Sequence, residues 1–210
     1  MADPAPLLHL DAVDLILDGK TILHDLSLRS DARRLAVLGR NGSGKSTLAR
    51  LIAGLQPATQ GTVRVAGVEV AKDRRGALGA VGILFQNPDH QIIFPTVGEE
   101  LAFGLTQMGQ DKATVAQTVA QTLARFGKSG WQDAAIYQLS QGQRQLVCLM
   151  AILAMAPKVI VLDEPFAGLD IPTAMHLSRV LATAQAALVH ITHDPQTVAT
   201  YDHALWLDGG

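Results

Sequence analysis

The residue pattern with the clearest chemical meaning lies at positions 39–47, where the sequence reads GRNGSGKST. It contains the spacing G-x-x-x-x-G-K-S, follows the apolar run 35–38, and precedes a segment of helical character. Glycines in such a loop let successive backbone N–H groups face phosphate oxygens, and the positive end of the next helix adds to the attraction. The pattern therefore predicts a phosphate-binding loop between a buried strand and a helix.

The side chains of this loop predict a nucleotide with a bound magnesium ion. The lysine at 45 is expected to reach the β- and γ-phosphates, and the hydroxyl at 46 is expected to ligate Mg²⁺. The predicted nucleotide-binding residues are Gly39, Asn41, Gly42, Ser43, Gly44, Lys45, Ser46 and Thr47.

A second chemical pattern is the apolar run 159–162, which ends in the carboxylates Asp163 and Glu164. The carboxyl end of a parallel strand faces the crevice in which α/β proteins bind ligands. Asp163 suits Mg²⁺, directly or through water, and Glu164 suits the orientation and deprotonation of an attacking water. A general base placed in this way contributes about 10²–10⁴-fold to a reaction rate.

A third pattern, LSQGQ at 139–143, precedes a long apolar segment with helical character. A serine hydroxyl and a glycine N–H at a helix N-terminus form a second candidate anion site. Its position shortly before the acidic strand strengthens this interpretation.

Taken in order, these motifs resemble those of the nucleotide-binding subunit of ATP-binding-cassette (ABC) transporters over nearly the whole chain. GRNGSGKS resembles the Walker A loop, LSQGQ the family signature, and VIVLDE the Walker B strand. Gln86, Asp170 and His193 lie where that family has its Q-loop glutamine, D-loop aspartate and switch histidine.

The resemblance implies an ATPase made of two chains that pair head to tail. Ser140, Gln141, Gly142 and Gln143 would then act on the partner's ATP. Lys45, Glu164 and His193 would be the catalytic residues, with water attacking the γ-phosphate. Ser46, Gln86 and Asp163 would hold Mg²⁺, and Gln86 would also bind the nucleotide as a sensor of the γ-phosphate. The partner could be a second copy of this chain or a related ATPase. Because none of these motifs is degenerate, a homodimer is the simpler expectation.

Two positions depart from the family pattern. No Phe, Tyr or Trp occurs between Met1 and Ala80, although the family often stacks adenine on an aromatic residue near the place of Leu17. Aliphatic contact alone predicts weaker or less base-selective nucleotide binding. Gln141 replaces the commoner glycine of the signature, and Gly142, the residue of close approach, is retained.

The elements that must position these motifs indicate an α/β fold. The predicted class is a P-loop NTPase with a RecA-like core, an antiparallel β layer and an inserted helical subdomain. A hairpin turn at Asp18-Gly19 and short alternating runs around Ala66-Gly67 predict the β layer. Helices are predicted from a capping box at 96–99, over 111–126, and over 140–156. One nucleotide-binding domain is expected over 1–210, with its core at 1–86 and 158–210 and its helical subdomain at 87–157.

Composition limits the remaining possibilities. A net charge of −2 gives no basic footprint for nucleic acid, and the cluster Lys72, Arg74 and Arg75 is expected to be a solvated turn. The single cysteine, Cys148, is expected to be a buried, inert thiol. The start of the chain lacks a secretory signal, and its longest uncharged apolar run is too short for a bilayer. A soluble, cytosolic chain is therefore expected. With this, the resemblance to transporter ATPases implies a peripheral subunit on the cytoplasmic face of the cell membrane.

The segment 86–104, QNPDHQIIFPTVGEELAFG, resembles the ATPases of energy-coupling-factor (ECF) importers of vitamins or metal ions. In that group two ATPases drive a transmembrane coupling protein and a separate substrate-capture protein. The resemblance makes Asp89, Gln91, Phe94 and Pro95 candidates for the groove that accepts the coupling protein. The overall sequence of residues 144–173, rather than any one motif in it, resembles that of ATPases of biotin importers.

Alternative functions remain open at this point. A conventional ABC transporter ATPase would carry the same catalytic residues and differ in its permease partner. A soluble ABC ATPase of cofactor assembly, such as those serving iron–sulfur clusters, would lack a membrane partner, and the segment at 86–104 argues against it.

Overall fold

The computed structural model describes residues 5–193 and 198–208, and contacts within it divide the chain into two units. The first contains the described residues up to Ile83, the strand segment Lys158–Glu164, and the described residues from Ala186 onward. The second contains Leu84–Pro157 and Pro165–Gln185.

Two sheets form most of the first unit. The antiparallel sheet has the order β2-β1-β4-β5, and the second sheet has the order β6-β7-β8-β3-β9. The strands are β1 (Leu8–Leu17), β2 (Lys20–Ser30), β3 (Arg34–Gly39), β4 (Gln60–Val65), β5 (Val68–Glu69), β6 (Val81–Leu84), β7 (Val159–Asp163), β8 (Ala187–Ile191) and β9 (His203–Leu207).

The antiparallel sheet is built on the predicted hairpin. Asp18 and Gly19 both adopt positive φ, 49° and 75°, as a tight hairpin turn with right-handed strand twist requires. Leu17 pairs with Lys20 directly across the turn. The predicted break between β4 and β5 is also present, since Ala66 and Gly67 have φ of 48° and 83°.

The second sheet pairs β7 with β8, β8 with β3, and β3 with β9, all in parallel. Strands β7 and β8 are buried along their whole length, which explains their almost uninterrupted apolar sequence. One apolar cluster, including Leu10, Leu48 and Val161, joins this sheet to the antiparallel sheet and to the first helix. Parallel pairing brings the carboxyl ends of β3, β7 and β8 to the same edge of the sheet.

Four helices follow the predicted pattern, and two more, over 74–80 and 171–182, were not predicted. The α-helices with described bounds are α1 (Lys45–Ile52), α2 (Arg74–Ala80), α3 (Val97–Gln107), α4 (Lys112–Arg125), α5 (Gln141–Ala154) and α6 (Ile171–Ala182). The interpretation of Arg74 and Arg75 as part of a turn is wrong, because both lie in α2. Asp73 caps this helix by accepting a hydrogen bond from Gly76 N at 2.8 Å.

The second unit is mainly helical. Helix α3 packs against α4 and α5, and α5 also contacts α6. The predicted capping box is present, since Thr96 and Glu99 bond reciprocally at the start of α3. Cys148 is fully buried in α5, and burial raises the pKa of its thiol to about 12, so it is unreactive at neutral pH as expected.

None of the helices described within 5–193 and 198–208 is long and apolar enough to cross a membrane.

Candidate functional site

Three strand ends assemble the central part of the site in the first unit. Strand β3 ends at Gly39 and continues into the phosphate loop, while β7 ends at Asp163. Strand β8 lies between β7 and β3 in the sheet, and His193 follows its last residue by two positions. Residues far apart in the sequence are therefore neighbours at one edge of the sheet.

Glycine is required at two positions of the loop. A Cβ on Gly39, which has φ of 151°, would collide with the carbonyl oxygen of Leu207 and with Ser43 Oγ. Gly44 forms the N-cap of α1 in the left-handed conformation, with φ of 93°. The loop thereby turns tightly into a helix N-terminus, where backbone N–H groups are available to an anion.

Lys45 lies folded over the same loop. Its ammonium donates hydrogen bonds to the carbonyl oxygens of Gly39 and Arg40, both at 2.8 Å, and the residue is 7% exposed. These bonds hold a positive charge above the loop. A phosphate entering the loop would offer the ammonium charged oxygens in place of neutral ones, and such bonds are shorter and stronger.

Asp163 meets the first turn of α1. Its Oδ1 accepts a hydrogen bond from Ser46 Oγ at 3.0 Å, and the residue is buried. Burial raises the pKa of Asp163, and the charge of neighbouring Glu164 raises it further, against the lowering effect of the Ser46 bond. A hydroxyl and a partly desolvated carboxylate are hard oxygen donors, so the pair fits Mg²⁺ held together with nucleotide phosphates.

Replacing Asp163 with asparagine is expected to stabilise the nucleotide-free protein. Since the folded pKa of Asp163 lies above the ordinary 3.8, the folded state binds a proton more tightly than the unfolded chain. The free energy of unfolding should thus rise as pH falls from neutral towards 4, and this contribution should vanish in the variant. Thermal unfolding without nucleotide at neutral pH should give a higher Tm for Asp163→Asn than for wild type, and the difference should shrink as the pH falls towards 4.

The same substitution should weaken the response to magnesium. Wild-type protein with ATP should gain stability as Mg²⁺ is added, and the Asp163→Asn protein should gain less. Asp73→Asn, which alters an exposed helix cap, is the control. Equal Tm values for wild type and Asp163→Asn across the pH range would contradict the inferred cost of burying this carboxylate.

Glu164 and His193 form a second pair of contacting side chains at this edge. His193 Nδ1 lies 3.2 Å from Glu164 Oε1, with the histidine ring largely exposed and the carboxylate mostly covered. Glu164 has φ of 47°, and its N–H donates to the carbonyl oxygen of Ile191 at 3.1 Å. The two predicted catalytic side chains are thus brought together, with the carboxylate held by a backbone bond to the end of β8.

Gln86 belongs to the second unit, where it is exposed in a bend two residues after β6 ends. The signature residues lie in the same unit. Ser140 caps α5 and forms a capping box with Gln143, in which Gln143 Oε1 accepts from Ser140 N at 2.9 Å. The signature serine and glutamine therefore also stabilise the helix that presents them.

Gly142 and Asp170 both contact Thr173, a residue outside the sequence motifs. A Cβ on Gly142 would lie 2.6 Å from Thr173 Cγ2, so a larger residue would push α5 from α6. Asp170 caps α6 by accepting from Thr173 N at 2.9 Å. The available sequence signal for this helix start was an acidic N-cap residue followed by a proline in the first turn. Gln141 lies beside Gly168, since a Cβ built on Gly168 would be 3.3 Å from Gln141 Nε2.

The four candidates for a partner groove have different environments within the second unit. Gln91 faces inward, and its Oε1 accepts from Phe85 N at 3.3 Å. Asp89 forms an ion pair with Arg144 at 3.4 Å. Phe94 is half-buried against the ring of Phe103, and Pro95 is exposed.

The place predicted for adenine offers aliphatic surface. Leu17 is half-buried at the end of β1, and its neighbour Ile16 is 45% exposed.

We expect Leu17→Tyr to raise ATP affinity about fivefold, because an aromatic pair adds on the order of 1 kcal/mol. Titration with ATP and GTP measures the effect, and Leu55→Tyr, at another exposed apolar position, is the control. A strong preference of the wild type for ATP over GTP would contradict this prediction.

Comparison with known proteins identifies the family of this chain. The ABC transporter family model matches residues 23–167, and the chain belongs to that family. It is 52% identical over 198 residues to the biotin transport ATP-binding protein BioM of Rhodobacter capsulatus, covering 94% of this chain and 85% of that protein. BioM of Rhizobium etli is 38% identical, covering 89% of this chain and 83% of that protein.

A solved structure with the same fold is cbiO1 of Clostridium perfringens, described as part of the ABC transporter complex cbiONQ. Its TM-score is 0.80 at 27% identity, covering 98% of this chain and 86% of that one. The predictions of a P-loop α/β fold with an antiparallel sheet and of an ATP-hydrolysing ABC subunit are confirmed. The resemblance to biotin-importer ATPases is confirmed as well.

Proposed function

We propose that this chain hydrolyses ATP to drive an ECF-type membrane importer whose cargo is biotin. The observation that carries the proposal is the 52% identity, over 94% of the chain, to a biotin transport ATP-binding protein. The ATPase chemistry follows from the sheet edge described above, and the cargo follows from the relatives.

In the proposed reaction the loop residues bind the ATP phosphates through their backbone N–H groups. Lys45 exchanges its carbonyl partners, 2.8 Å away, for the β- and γ-phosphates. Mg²⁺, when bound with ATP, neutralises charge that develops on the phosphates. Ser46 and Asp163 would hold the ion, with Gln86 as a further ligand and γ-phosphate sensor.

Glu164 is the proposed base for the attacking water. Its carboxylate has one oxygen 3.2 Å from His193 Nδ1, which leaves the other free to accept a hydrogen bond from water. His193 orients the carboxylate and contacts the γ-phosphate. The reaction is in-line displacement by water, in which the protein mainly positions groups and stabilises charge.

Two copies of the chain complete the proposed active sites. The signature at Ser140, Gln141, Gly142 and Gln143 acts on the ATP bound by the other copy, and Asp170 lies at the pairing surface. The exposure of Ser140 and of the α6 residues Ile171 and Met175 supports this arrangement, since these residues are available for a partner.

The proposed membrane partners are a transmembrane coupling protein and a biotin-capture protein, which would hold this chain at the cytoplasmic face of the membrane. The docking groove includes Pro95 and Phe94, with exposed Ile93 beside them, and Asp89 and Gln91 shape the same segment. An apolar patch of this kind is typical of a protein-binding surface.

The decisive test is affinity purification of the tagged chain from its native membranes, with partners identified by mass spectrometry. We expect a multi-span coupling protein and a small capture protein that binds biotin. Pro95→Asp should abolish their recovery, and Leu55→Asp, at an exposed apolar site of the first unit, should not. Recovery of only a large conventional permease or of soluble cofactor-assembly proteins would overturn the ECF assignment and leave the ATPase assignment intact.

A further inference from the structure

The backbone of Phe85, the residue immediately before Gln86, is held by two glutamine side chains. Its N–H donates to Gln91 Oε1 at 3.3 Å, and its carbonyl oxygen accepts from Gln145 Nε2 at 2.8 Å. Strand β6 ends at Leu84, so these bonds replace strand pairing at this point. The two peptide groups that flank Phe85 are therefore oriented by side chains from outside the sheet, and the Phe85–Gln86 peptide by Gln145.

Gln145 makes a second bond with the same amide nitrogen. Nε2 donates to the carbonyl oxygen of Pro165 at 3.3 Å, and Pro165 directly follows Glu164 in the chain. The residue is 1% exposed, and within the described residues its Oε1 is buried with no hydrogen-bond partner. A buried amide of this kind is retained at a cost in desolvation, which indicates that its two donor bonds have a specific role.

The neighbouring residue strengthens the connection. Arg144 Nε lies 3.4 Å from Asp89 Oδ1 in the segment after Gln86. Gln145 thus holds the backbone at Phe85, and Arg144 holds the side chain of Asp89 in the same segment. Both residues lie in α5, the helix capped by the signature serine. A movement of α5 would carry the Phe85–Gln86 peptide with it.

We propose that Gln145 is a positioning residue for ATP hydrolysis, acting through Gln86. It fixes the Phe85–Gln86 peptide and the backbone after Glu164 relative to the signature helix, so that Gln86 is held in its reactive orientation. This inference rests on the proposed role of Gln86 as the γ-phosphate and Mg²⁺ sensor.

The test compares Gln145→Met with wild type in the full chain, purified with its associated partners. Methionine keeps the length and removes both donor bonds. We expect kcat to fall about 10–100-fold with the KM for ATP changed less than about twofold, because small misplacement of a positioned group has effects of this size. Leu149→Ala, a fully buried change in the same helix, is the control and should lower Tm with kcat within about twofold of wild type.

A double-variant cycle separates the inference from the proposed function. If Gln145 acts through Gln86, then Gln86→Ala combined with Gln145→Met should lose no more kcat than Gln86→Ala alone. If the kcat losses of the two single variants multiply in the double variant, or if Gln145→Met leaves kcat unchanged, the proposed role of Gln145 is wrong. The proposed role of Gln86 is not affected by either result. An unchanged kcat in Gln86→Ala would overturn the proposed role of Gln86, and with it this inference.

Discussion

Glu164→Gln is expected to lower ATP hydrolysis by about 10²–10⁴-fold, the contribution of a positioned general base. The substitution keeps the size of the side chain and its ability to contact His193, 3.2 Å away, and removes the basic oxygen. ATP binding should be preserved because the phosphate loop and the Ser46–Asp163 pair are untouched. The variant should therefore accumulate as an ATP-bound dimer.

Two measurements check this result. Phosphate release gives the rate, and size-exclusion chromatography with Mg²⁺ and ATP gives the oligomeric state. Glu69→Gln is the matched control, since Glu69 lies in the same unit and pairs with Lys72 and Arg64 on the surface. Hydrolysis by Glu164→Gln at the wild-type rate would show that another group activates the water. A monomer that hydrolyses slowly would instead contradict the dimer proposal.

Lys45→Met is expected to abolish productive binding of ATP, with hydrolysis reduced at least about 10²–10³-fold, as for removal of one preorganised donor to developing charge. The loss has two physical sources. The variant lacks the charge that would meet the β- and γ-phosphates, and it lacks the two 2.8 Å bonds that tie Lys45 to Gly39 and Arg40. The loop should therefore be less ordered before ATP arrives.

Equilibrium binding of a fluorescent ATP analogue measures nucleotide affinity separately from the rate of hydrolysis. Lys72→Met removes an equal charge from an exposed position and should bind and hydrolyse ATP as wild type does. If Lys45→Met binds ATP normally and loses only the rate, Lys45 acts on the transition state alone. If it retains both, the proposed role of Lys45 is wrong.

Most strands and helices could be predicted from the sequence because the residues that specify them lie next to one another in the chain. The turn at Asp18-Gly19 needs residues that accept positive φ, and both adopt it. Strands β7 and β8 are uninterrupted apolar runs because they are buried on both faces. Helix α2 was not predicted, since its seven residues include two glycines and two arginines, and its start depends on the cap at Asp73.

The sequence by itself determined the phosphate loop, the acidic end of β7 and the signature, since each is a contiguous motif whose spacing carries its chemistry. The tertiary structure decided which distant residues share one place. Parallel pairing through β8 puts His193 beside Glu164, and it places Asp163 against Ser46. It also gave Gln145 its two backbone partners, which no local pattern indicates, because a buried glutamine in an apolar helix acquires its meaning only from the carbonyl groups packed around it.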